Sequence, residues 1–299
     1  MKIVCIGHAA YDIVIPMEGY PIENTKNRLD IKIEGGGGPA ATAAYLLGKW
    51  GCNVSFLGVV GSDQYGNYIK KELEQVNVDT TYLELNEEYK TTCSYIIANK
   101  LNGSRTVLTP KENDMKMKKI DLNFEPDIIL MDGQEYDMSV ELLNKYPNAI
   151  SVIDAGRKTE KIIDLCKRVN YVVCSKKFAE EVTNININYE DNNTLKQVFM
   201  KMKEIFKNEI VITLESKGCL YEYDNEIKIM SSINVKAIDS TGAGDIFHGA
   251  FVYGLSLNLP YEQILKLANV TAGLSVTCIG SRNSIFDLNE IKEKYEEFK

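Results

Sequence analysis

The 299-residue sequence has few histidines, no basic run and no C-x-x-C pair, and each absence excludes a class of protein. Lysine and arginine number 34 against 42 aspartates and glutamates, a net charge of −8, and no tract of five or more basic residues occurs. Nucleic acid is therefore not expected to be the main partner. Two histidines are too few for a histidine-based metal site.

Cysteine usage and the lack of long apolar runs suggest a cytoplasmic protein. The seven cysteines are an odd number and are scattered along the chain, so we expect reduced thiols, without disulfides or zinc. No stretch approaches the roughly 18 apolar residues of a membrane helix, and the apolar run within residues 1–7 is too short for a signal peptide. We expect no membrane partner.

Two nucleotide-binding patterns are missing or misplaced. No G-x-x-x-x-G-K-[ST] occurs, which excludes the P-loop class. Gly36, Gly38 and Ala41 formally fit G-x-G-x-x-A, but a Rossmann domain places that turn directly after its first strand. Here an irregular, alternating segment precedes it and Pro39 lies within it, so we do not expect a nicotinamide-dependent oxidoreductase.

Short runs rich in Val and Ile alternate with amphipathic stretches, a pattern typical of a mostly parallel sheet flanked by helices. The predicted fold class is α/β. The predicted strands are Lys2–Ile6, Val54–Val60, Asp127–Met131, Ile150–Ile153, Tyr171–Cys174 and Glu209–Leu214. The predicted helices are Pro39–Trp50, Gly66–Gln75, Met138–Lys145, Thr159–Lys167, Asn193–Phe206, Ala243–Ser256, Pro260–Thr277 and Leu288–Phe298.

Two segments, Ala10–Glu34 and Lys90–Pro110, interrupt that alternation because apolar and polar residues alternate within them. Asn102-Gly103 between two such runs is a strong hairpin signal. We expect a small antiparallel sheet that stands off the main sheet, as a lid over a site or as an interface. The sequence contains no linker or repeat, so we predict one α/β domain over residues 1–299 with a discontinuous lid.

The stretch from Ala237 to Phe251 carries the clearest chemical signal. Small residues at Gly242, Ala243 and Gly244 form a turn into an apolar helix, so backbone N–H groups and the helix end can bind an anion. A carboxylate in the first helical turn, Asp245, could accept the proton of a hydroxyl that attacks a bound phosphate. The alternative is a simple helix cap, since Asp is common in first turns.

Two motifs resemble the signatures of the ribokinase-like (PfkB) sugar kinases. Residues 239–247 read D-S-T-G-A-G-D-I-F, against the family's D-T-x-G-A-G-D-x-F. Residues 36–43 read G-G-G-P-A-A-T-A, where the family has G-G-x-x-x-N-x-A. Both signatures occur together at the usual separation, and the resemblance covers nearly the whole chain.

The resemblance implies a role for each matching position. Asp245 would be the catalytic base, and the backbone of Gly242, Ala243 and Gly244 the anion hole for the transferring phosphoryl group. The positions that match the sugar contacts are Asp12, Gly36 and Gly37. Those that match the ATP site are Thr213, Gly218 and Asn269. Those that match the site of a monovalent cation, such as K⁺, are Asp239, Thr241, Gly280 and Ser284.

The chain departs from the family at two elements. The asparagine of the first signature is Ala41, which removes a hydrogen-bond donor from the sugar pocket. The N-x-x-E element, which organises Mg²⁺ and phosphate through water, falls at residues 175–178 as S-K-K-F. Mg²⁺ is still expected, because the triphosphate charge has to be neutralised. These features are most similar to the ketohexokinase and sulfofructose-kinase side of the family, which favours a keto-sugar.

Three polar residues near these motifs allow more than one interpretation. Lys26 on the expected lid matches a lysine of the sulfofructose-type members and could pair with an anionic group on the sugar. The sequence favours the other interpretation, an exposed edge-strand lysine that discourages aggregation. His248 is expected to be a packed or capping neighbour of Asp245 rather than a proton shuttle. Asp154 could touch substrate or cap a helix.

The resulting expectation is an ATP-dependent kinase that phosphorylates a hydroxyl of a small carbohydrate, a ketohexose or a derivative. Its lid segments would supply a suitable edge for a homodimer, and the sequence leaves the choice between monomer and dimer open. A nucleoside or ribose kinase is the alternative within the same fold. A non-catalytic sugar or nucleotide sensor is the alternative from another class, motivated by Ala41 and the altered N-x-x-E element.

Overall fold

Apolar strands and the helices between them form a layered α/β structure in a computed structural model that describes residues 1–110 and 116–298. The strands are β1 Lys2–Ile6, β2 Ala10–Met17, β3 Ile33–Gly37, β4 Asn53–Gly61, β5 Leu83–Asn86, β6 Cys93–Asn99, β7 Ser104–Leu108, β8 Ile128–Met131, β9 Ile150–Ala155, β10 Tyr171–Ser175, β11 Glu209–Thr213, β12 Cys219–Tyr223 and β13 Glu226–Met230. The helices are α1 Pro39–Lys49, α2 Gln64–Gln75, α3 Tyr136–Lys145, α4 Glu160–Cys166, α5 Lys176–Thr183, α6 Asn192–Phe206, α7 Ala243–Ser256, α8 Tyr261–Ser275 and α9 Leu288–Glu297.

The main sheet has nine strands in the order β13-β12-β11-β10-β9-β8-β1-β4-β5. The seven strands from β11 to β5 run parallel, and β12 and β13 add an antiparallel edge. Side chains of β1 alternate between two cores: Ile3 and Cys5 pack with α1, α7 and α8, whereas Val4 and Ile6 pack with α5 and α6. Helices therefore cover both faces, and the predicted α/β class is confirmed.

A second, smaller sheet has the order β3-β2-β6-β7. Three of its strands lie in the two segments predicted to form it, and β3 continues to Gly37. The outer pairs β2–β3 and β6–β7 are antiparallel, as expected, but the central pair β2–β6 is parallel. Both central strands follow parallel strands of the main sheet and leave it at the same edge, so they run in the same direction. The hairpin connection spans residues 100–103 rather than two residues, with Gly103 at φ 72°.

Four elements were not predicted: α5, β5, β12 and β13. Helix α5 begins directly after β10, where Ser175 caps it by accepting the Phe178 N–H at 3.1 Å. Strands β12 and β13 form a hairpin whose turn residues, Asp224 and Asn225, both have positive φ.

The carboxyl ends of β1, β8, β9 and β10 meet at one edge of the main sheet, where β2 and the start of α7 also lie. In open parallel sheets this edge is where ligands bind. Of the helices that the structure describes, none is both long and apolar enough to cross a membrane.

Candidate active site

At the start of α7, two of the three N–H groups predicted to bind an anion have no partner in the described chain, whereas that of Ala243 donates to the Ser240 carbonyl at 3.3 Å. Gly242 has φ 76°, and a Cβ there would overlap with the Ser281 side chain, so the turn requires glycine. Its carbonyl accepts the N–H of Ile246 at 2.9 Å and so begins the helix. The N–H groups of Gly242 and Gly244 make no hydrogen bond within residues 1–110 and 116–298. Free donors at the positive end of a helix form an anion-binding site.

Asp245 is half-buried in the first turn of α7. Burial raises the pKa of its carboxyl well above the usual range, and the negative charge of Asp154 raises it further. No hydrogen bond or ion pair to Asp245 occurs in the described part of the chain. A carboxylate without a protein partner and with a raised pKa can accept a proton from a substrate.

Asp154, whose role the sequence left open, lies beside Asp245 at the end of β9. Burial raises the pKa of the Asp154 carboxyl, whereas the neighbouring His248 lowers it. His248 Nδ1 lies 3.4 Å from Asp154 Oδ2. His248 Nδ1 also lies 2.7 Å from the Gly244 carbonyl oxygen, and Nε2 lies 3.1 Å from that of Val173. His248 is thus a packed neighbour of Asp245, and it links β9, β10 and the first turn of α7.

Asp132, at the end of β8, was missed by the sequence analysis. Its Oδ2 accepts the N–H groups of His8 at 2.7 Å and Ala40 at 3.2 Å, and its Oδ1 accepts that of Gln134 at 2.9 Å. A Cβ on Gly7 would overlap with this carboxylate. Asp132 therefore holds the end of β1 and the start of α1 against β8.

The glycine turn, residues 36–38, consists of the last two residues of β3 and Gly38, which has φ 90°. It lies beside Asp12 on β2, which is in register with Gly35. A Cβ on Gly37 would overlap with the Asp12 carboxylate, so the turn can approach Asp12 only as glycine. Burial raises the pKa of Asp12 to about 6. Gly36 lies beside Arg282 and Glu72 instead, and its N–H donates to Glu72 Oε2 at 3.0 Å.

Arg105, on β7, is a second residue that the sequence analysis missed. Its Nη1 donates to Ser240 Oγ at 3.0 Å, and the Gly103 carbonyl accepts the Ser240 N–H at 3.0 Å. The small sheet thus contacts the segment that leads into α7. The positive charge of Arg105 lowers the pKa of both Asp12 and Asp245. The signal for it was an arginine two residues after the Asn102-Gly103 hairpin.

The residues expected to hold a monovalent cation lie together. Asp239 is buried, its Oδ1 accepts the Thr241 N–H at 2.9 Å and hydroxyl at 2.6 Å, and its Oδ2 accepts the Gly280 N–H at 2.8 Å. The Ser284 hydroxyl donates to the Ser281 carbonyl at 2.6 Å. Carboxylate, hydroxyl and carbonyl oxygens are the ligand types that fit a hard cation such as K⁺.

The residues expected to bind the nucleotide lie at the far side of the sheet. Thr213 ends β11 and is paired with Cys219 of β12, and Gly218 has φ 97° with no room for a Cβ beside the Met230 carbonyl. Asn269, on α8, is buried and its Nδ2 lies 3.3 Å from Cys219 Sγ. The structure brings these three together at the β11–β12 turn, where Asn269 joins α8 to β12.

The altered N-x-x-E element does not supply a metal ligand. Ser175 caps α5, and Lys176 lies 3.8 Å from Glu180 and over the Tyr189 ring. Across residues 1–110 and 116–298, no three His, Cys, Asp or Glu side chains are grouped to hold a metal ion. The residues at this element do not fit a protein-held Mg²⁺ site.

Two expected substrate contacts differ in their surroundings. Ala41 is fully buried in the first turn of α1 and packs in the core, so its side chain offers no hydrogen bond. Lys26 is exposed on the connection between β2 and β3 and forms no ion pair in the described part of the chain.

Comparison with known proteins gives a consistent match over the whole chain. The model of the family described as pfkB family carbohydrate kinase matches residues 1–287. A nucleoside kinase of Methanocaldococcus jannaschii is 24% identical over 99% of this chain and 97% of its own length. A ribokinase of Haemophilus influenzae is 25% identical over 87% of both chains. The crystal structure of ribokinase from Thermotoga maritima superposes with a TM-score of 0.81, at 24% identity and 99% coverage of both chains.

The two glycines of the α7 start should respond differently to alanine. Gly242→Ala forces a Cβ against Ser281 at a positive φ and should destabilise the fold by about 1–3 kcal/mol. At Gly244 a Cβ meets no atom within 4 Å, and Gly244→Ala should leave stability unchanged or raise it by up to about 1 kcal/mol. Urea unfolding of the two variants measures the difference, and equal losses would show that the turn does not depend on Gly242.

Proposed function

Because the chain belongs to the pfkB family of carbohydrate kinases, and is thus a phosphotransferase with an alcohol acceptor, we propose that it transfers the γ-phosphate of ATP to a small carbohydrate with Asp245 as general base. The observation that carries the proposal is the first turn of α7. A carboxylate without a protein partner lies there beside free N–H groups, and Asp12 and Arg105 approach it from the small sheet. This arrangement supports a site in which an acceptor hydroxyl and a phosphate would lie side by side.

In the proposed reaction the acceptor lies between Asp12 and the Gly36-Gly37 turn, and the γ-phosphate lies at Gly242–Gly244. Asp245 takes the hydroxyl proton as the hydroxyl oxygen forms its bond to the γ-phosphorus. The bond to the bridging oxygen breaks in line, and its electron pair stays with ADP. Positioned N–H donors stabilise the charge that develops on the phosphoryl oxygens, and positioning and electrostatics supply most of the rate.

ATP and Mg²⁺ are typical of this family, and we propose both as cofactors here. Mg²⁺ neutralises part of the triphosphate charge, and we assign it no protein ligand because the 175–178 element offers none. Thr213, Gly218 and Asn269 are proposed to border the nucleotide. Asp239, Thr241, Gly280 and Ser284 are proposed to hold K⁺, whose charge would support the neighbouring anion site.

The proposed acceptor is a ketohexose or a derivative of one. Ala41 supports this choice because the sugar contact of the first signature is replaced by a methyl group. Ribose or a nucleoside is the second candidate, favoured by the names of the relatives that share a quarter of their residues with this chain. A coupled assay of ADP formation with ketoses, aldoses, nucleosides and sugar phosphates decides between them. Saturable binding without turnover for every acceptor would contradict a kinase.

Lys26 is proposed to bind an anionic substituent of the acceptor, since it is exposed on the connection between β2 and β3 and unpaired among the described side chains. Lys26→Ala should raise KM for phosphorylated or sulfonated sugars about tenfold and leave KM for neutral sugars unchanged. Lys32, which pairs with Glu34 at 2.9 Å, supplies a matched control as Lys32→Ala. An unchanged KM for every sugar would reduce Lys26 to a solubilising residue.

Asp245→Asn keeps the size of the side chain and removes the base. The kcat should fall about 10²–10⁴-fold, because that is the usual contribution of general base catalysis. The KM for ATP should change little, since backbone N–H groups bind the phosphate. Steady-state kinetics and a thermal unfolding curve measure both effects. Near-normal turnover in a folded variant would overturn the proposed mechanism.

A homodimer through the small sheet is proposed from its exposed apolar side chains, which are Tyr20, Ile22, Leu29, Ile31, Tyr95, Leu101, Val107 and Leu108. Ile22 is the most exposed of them, at 74%. Light scattering should give twice the 33.6 kDa of one chain, and Ile22→Asp should halve that mass. Leu257→Asp, at a position 52% exposed after α7, is the control. A monomer at micromolar concentration would exclude the dimer.

A further inference from the structure

A buried ion pair between Arg282 and Glu72 forms hydrogen bonds with the backbone of the glycine turn. Arg282 belongs to the 280–284 segment and its side chain is 1% exposed, and Glu72 on α2 is 12% exposed. Arg282 Nη1 contacts Glu72 Oε2, and Arg282 Nη2 donates to the Gly37 carbonyl at 3.3 Å. The same Glu72 Oε2 accepts the Gly36 N–H at 3.0 Å. One ion pair therefore binds both an N–H and a carbonyl of the turn.

The pair also explains why residue 36 is glycine. A Cβ on Gly36 would overlap with the Arg282 guanidinium and with Glu72 Oε2. The space behind the turn is thus filled by the ion pair, just as the space beside Gly37 is filled by Asp12. The first signature therefore serves an internal contact as well as an approach by a sugar.

Stability alone does not account for this pair. Burying two charges costs desolvation energy that their attraction often fails to recover, so a buried ion pair is weak evidence for stabilisation. Arg282 Nε is buried with no hydrogen-bond partner in the described part of the chain, which adds a further cost. A residue retained at such a cost calls for a role in the site.

The charges of the pair reach Asp12. Arg282 favours the ionised form of Asp12 and Glu72 opposes it. The charged and titratable groups that face Asp12 from the surrounding elements are Arg282, Glu72, Arg105 of β7, Cys93 of β6 and Asp245 of α7. Only an ionised Asp12 can accept two hydroxyl hydrogen bonds without donating one.

We propose that Glu72 and Arg282 are positioning residues of the acceptor site, which fix the Gly36-Gly37 turn and balance the charge around Asp12. This role rests on the proposed function, because it assumes that Asp12 binds the acceptor. Arg282 lies in the same segment as Gly280, whose N–H donates to Asp239, and Ser281, which lies beside Gly242. The pair therefore also joins the acceptor side to the anion side.

The test measures how acceptor affinity depends on pH in the Asp245→Asn background, which removes the titration of the base. The probe is the sugar that the wild type phosphorylates fastest in the panel, with D-fructose and D-ribose included. Affinity measured by calorimetry should fall as pH drops through about 6, the pKa of Asp12. Arg282→Met removes a positive charge, so the midpoint of this loss of affinity should shift to a pH about one unit higher. Glu72→Gln removes a negative charge, so the midpoint should shift to a lower pH.

Conservative and double variants separate charge from geometry. Arg282→Lys keeps the charge, so its pH midpoint should stay near the parent value while affinity at pH 8 drops about tenfold from the lost carbonyl contact. The double variant with Glu72→Gln and Arg282→Met should restore the midpoint but not the affinity. Arg168→Met breaks an exposed ion pair on α4 and should change neither.

The outcomes distinguish this proposal from the proposed function. Midpoints that move in the same direction, or not at all, while the wild type remains an active kinase would overturn the positioning role. If the wild type phosphorylates no acceptor, the proposed function fails. Hydrogen exchange then still tests whether the ion pair holds the glycine turn. Peptides over residues 33–38 should exchange faster in Glu72→Gln and Arg282→Met than in the control. Unchanged exchange would overturn the proposal.

Discussion

The cost of burying carboxylates together is the constraint on which this site depends. Four of them converge at the carboxyl edge of the main sheet: Asp12, Asp132, Asp154 and Asp245. Buried charges are tolerated when they are paired or hydrogen-bonded. Asp132 accepts three backbone N–H groups, Asp154 lies against His248, and Asp12 is influenced by Arg282. Asp245 is influenced by Arg105 but forms no hydrogen bond or ion pair among the described residues, which leaves its oxygens free for a substrate.

The same constraint explains the glycines around the site. Each of Gly7, Gly36, Gly37 and Gly242 would place a Cβ on a polar side chain that belongs to the site or its support. Small residues here let carboxylates and backbone N–H groups approach more closely than side chains would allow. The absence of side chains at these glycines thus lets the carboxylates and the backbone N–H donors lie close together. The positive N-terminal end of helix α7 then offsets part of the unfavourable negative charge of the clustered carboxylates.

The sequence was sufficient for the fold class, whereas the roles of residues within one continuous motif stay predictions. Alternating apolar runs indicated the parallel sheet, and the residues from Asp239 to Asp245 indicated the anion site. Elements without a strong period were missed, such as the edge hairpin β12–β13, whose turn residues are Asp224 and Asn225. A short edge hairpin is stabilised by its neighbours in the sheet rather than by a pattern of its own.

The site residues that were missed share a physical cause. Arg105, Asp132 and Arg282 act on groups that lie far away in the chain, and none of them stands in a recognisable motif. Arg282 contacts Glu72 across 210 positions of sequence, and Asp132 contacts His8 across 124. Such pairs form only when strands and loops from different segments meet. Apart from the hairpin signal that precedes Arg105, a single sequence carries no local signal for that meeting.

The central claim is that Asp245 acts as a base in a direct transfer and does not itself become phosphorylated. The stereochemistry of the transferred group tests this most directly, with ATP made chiral at its γ-phosphorus and any acceptor that the enzyme phosphorylates. A single in-line displacement predicts inversion of configuration at phosphorus. Retention would require two displacements through an aspartyl phosphate, and would contradict the account.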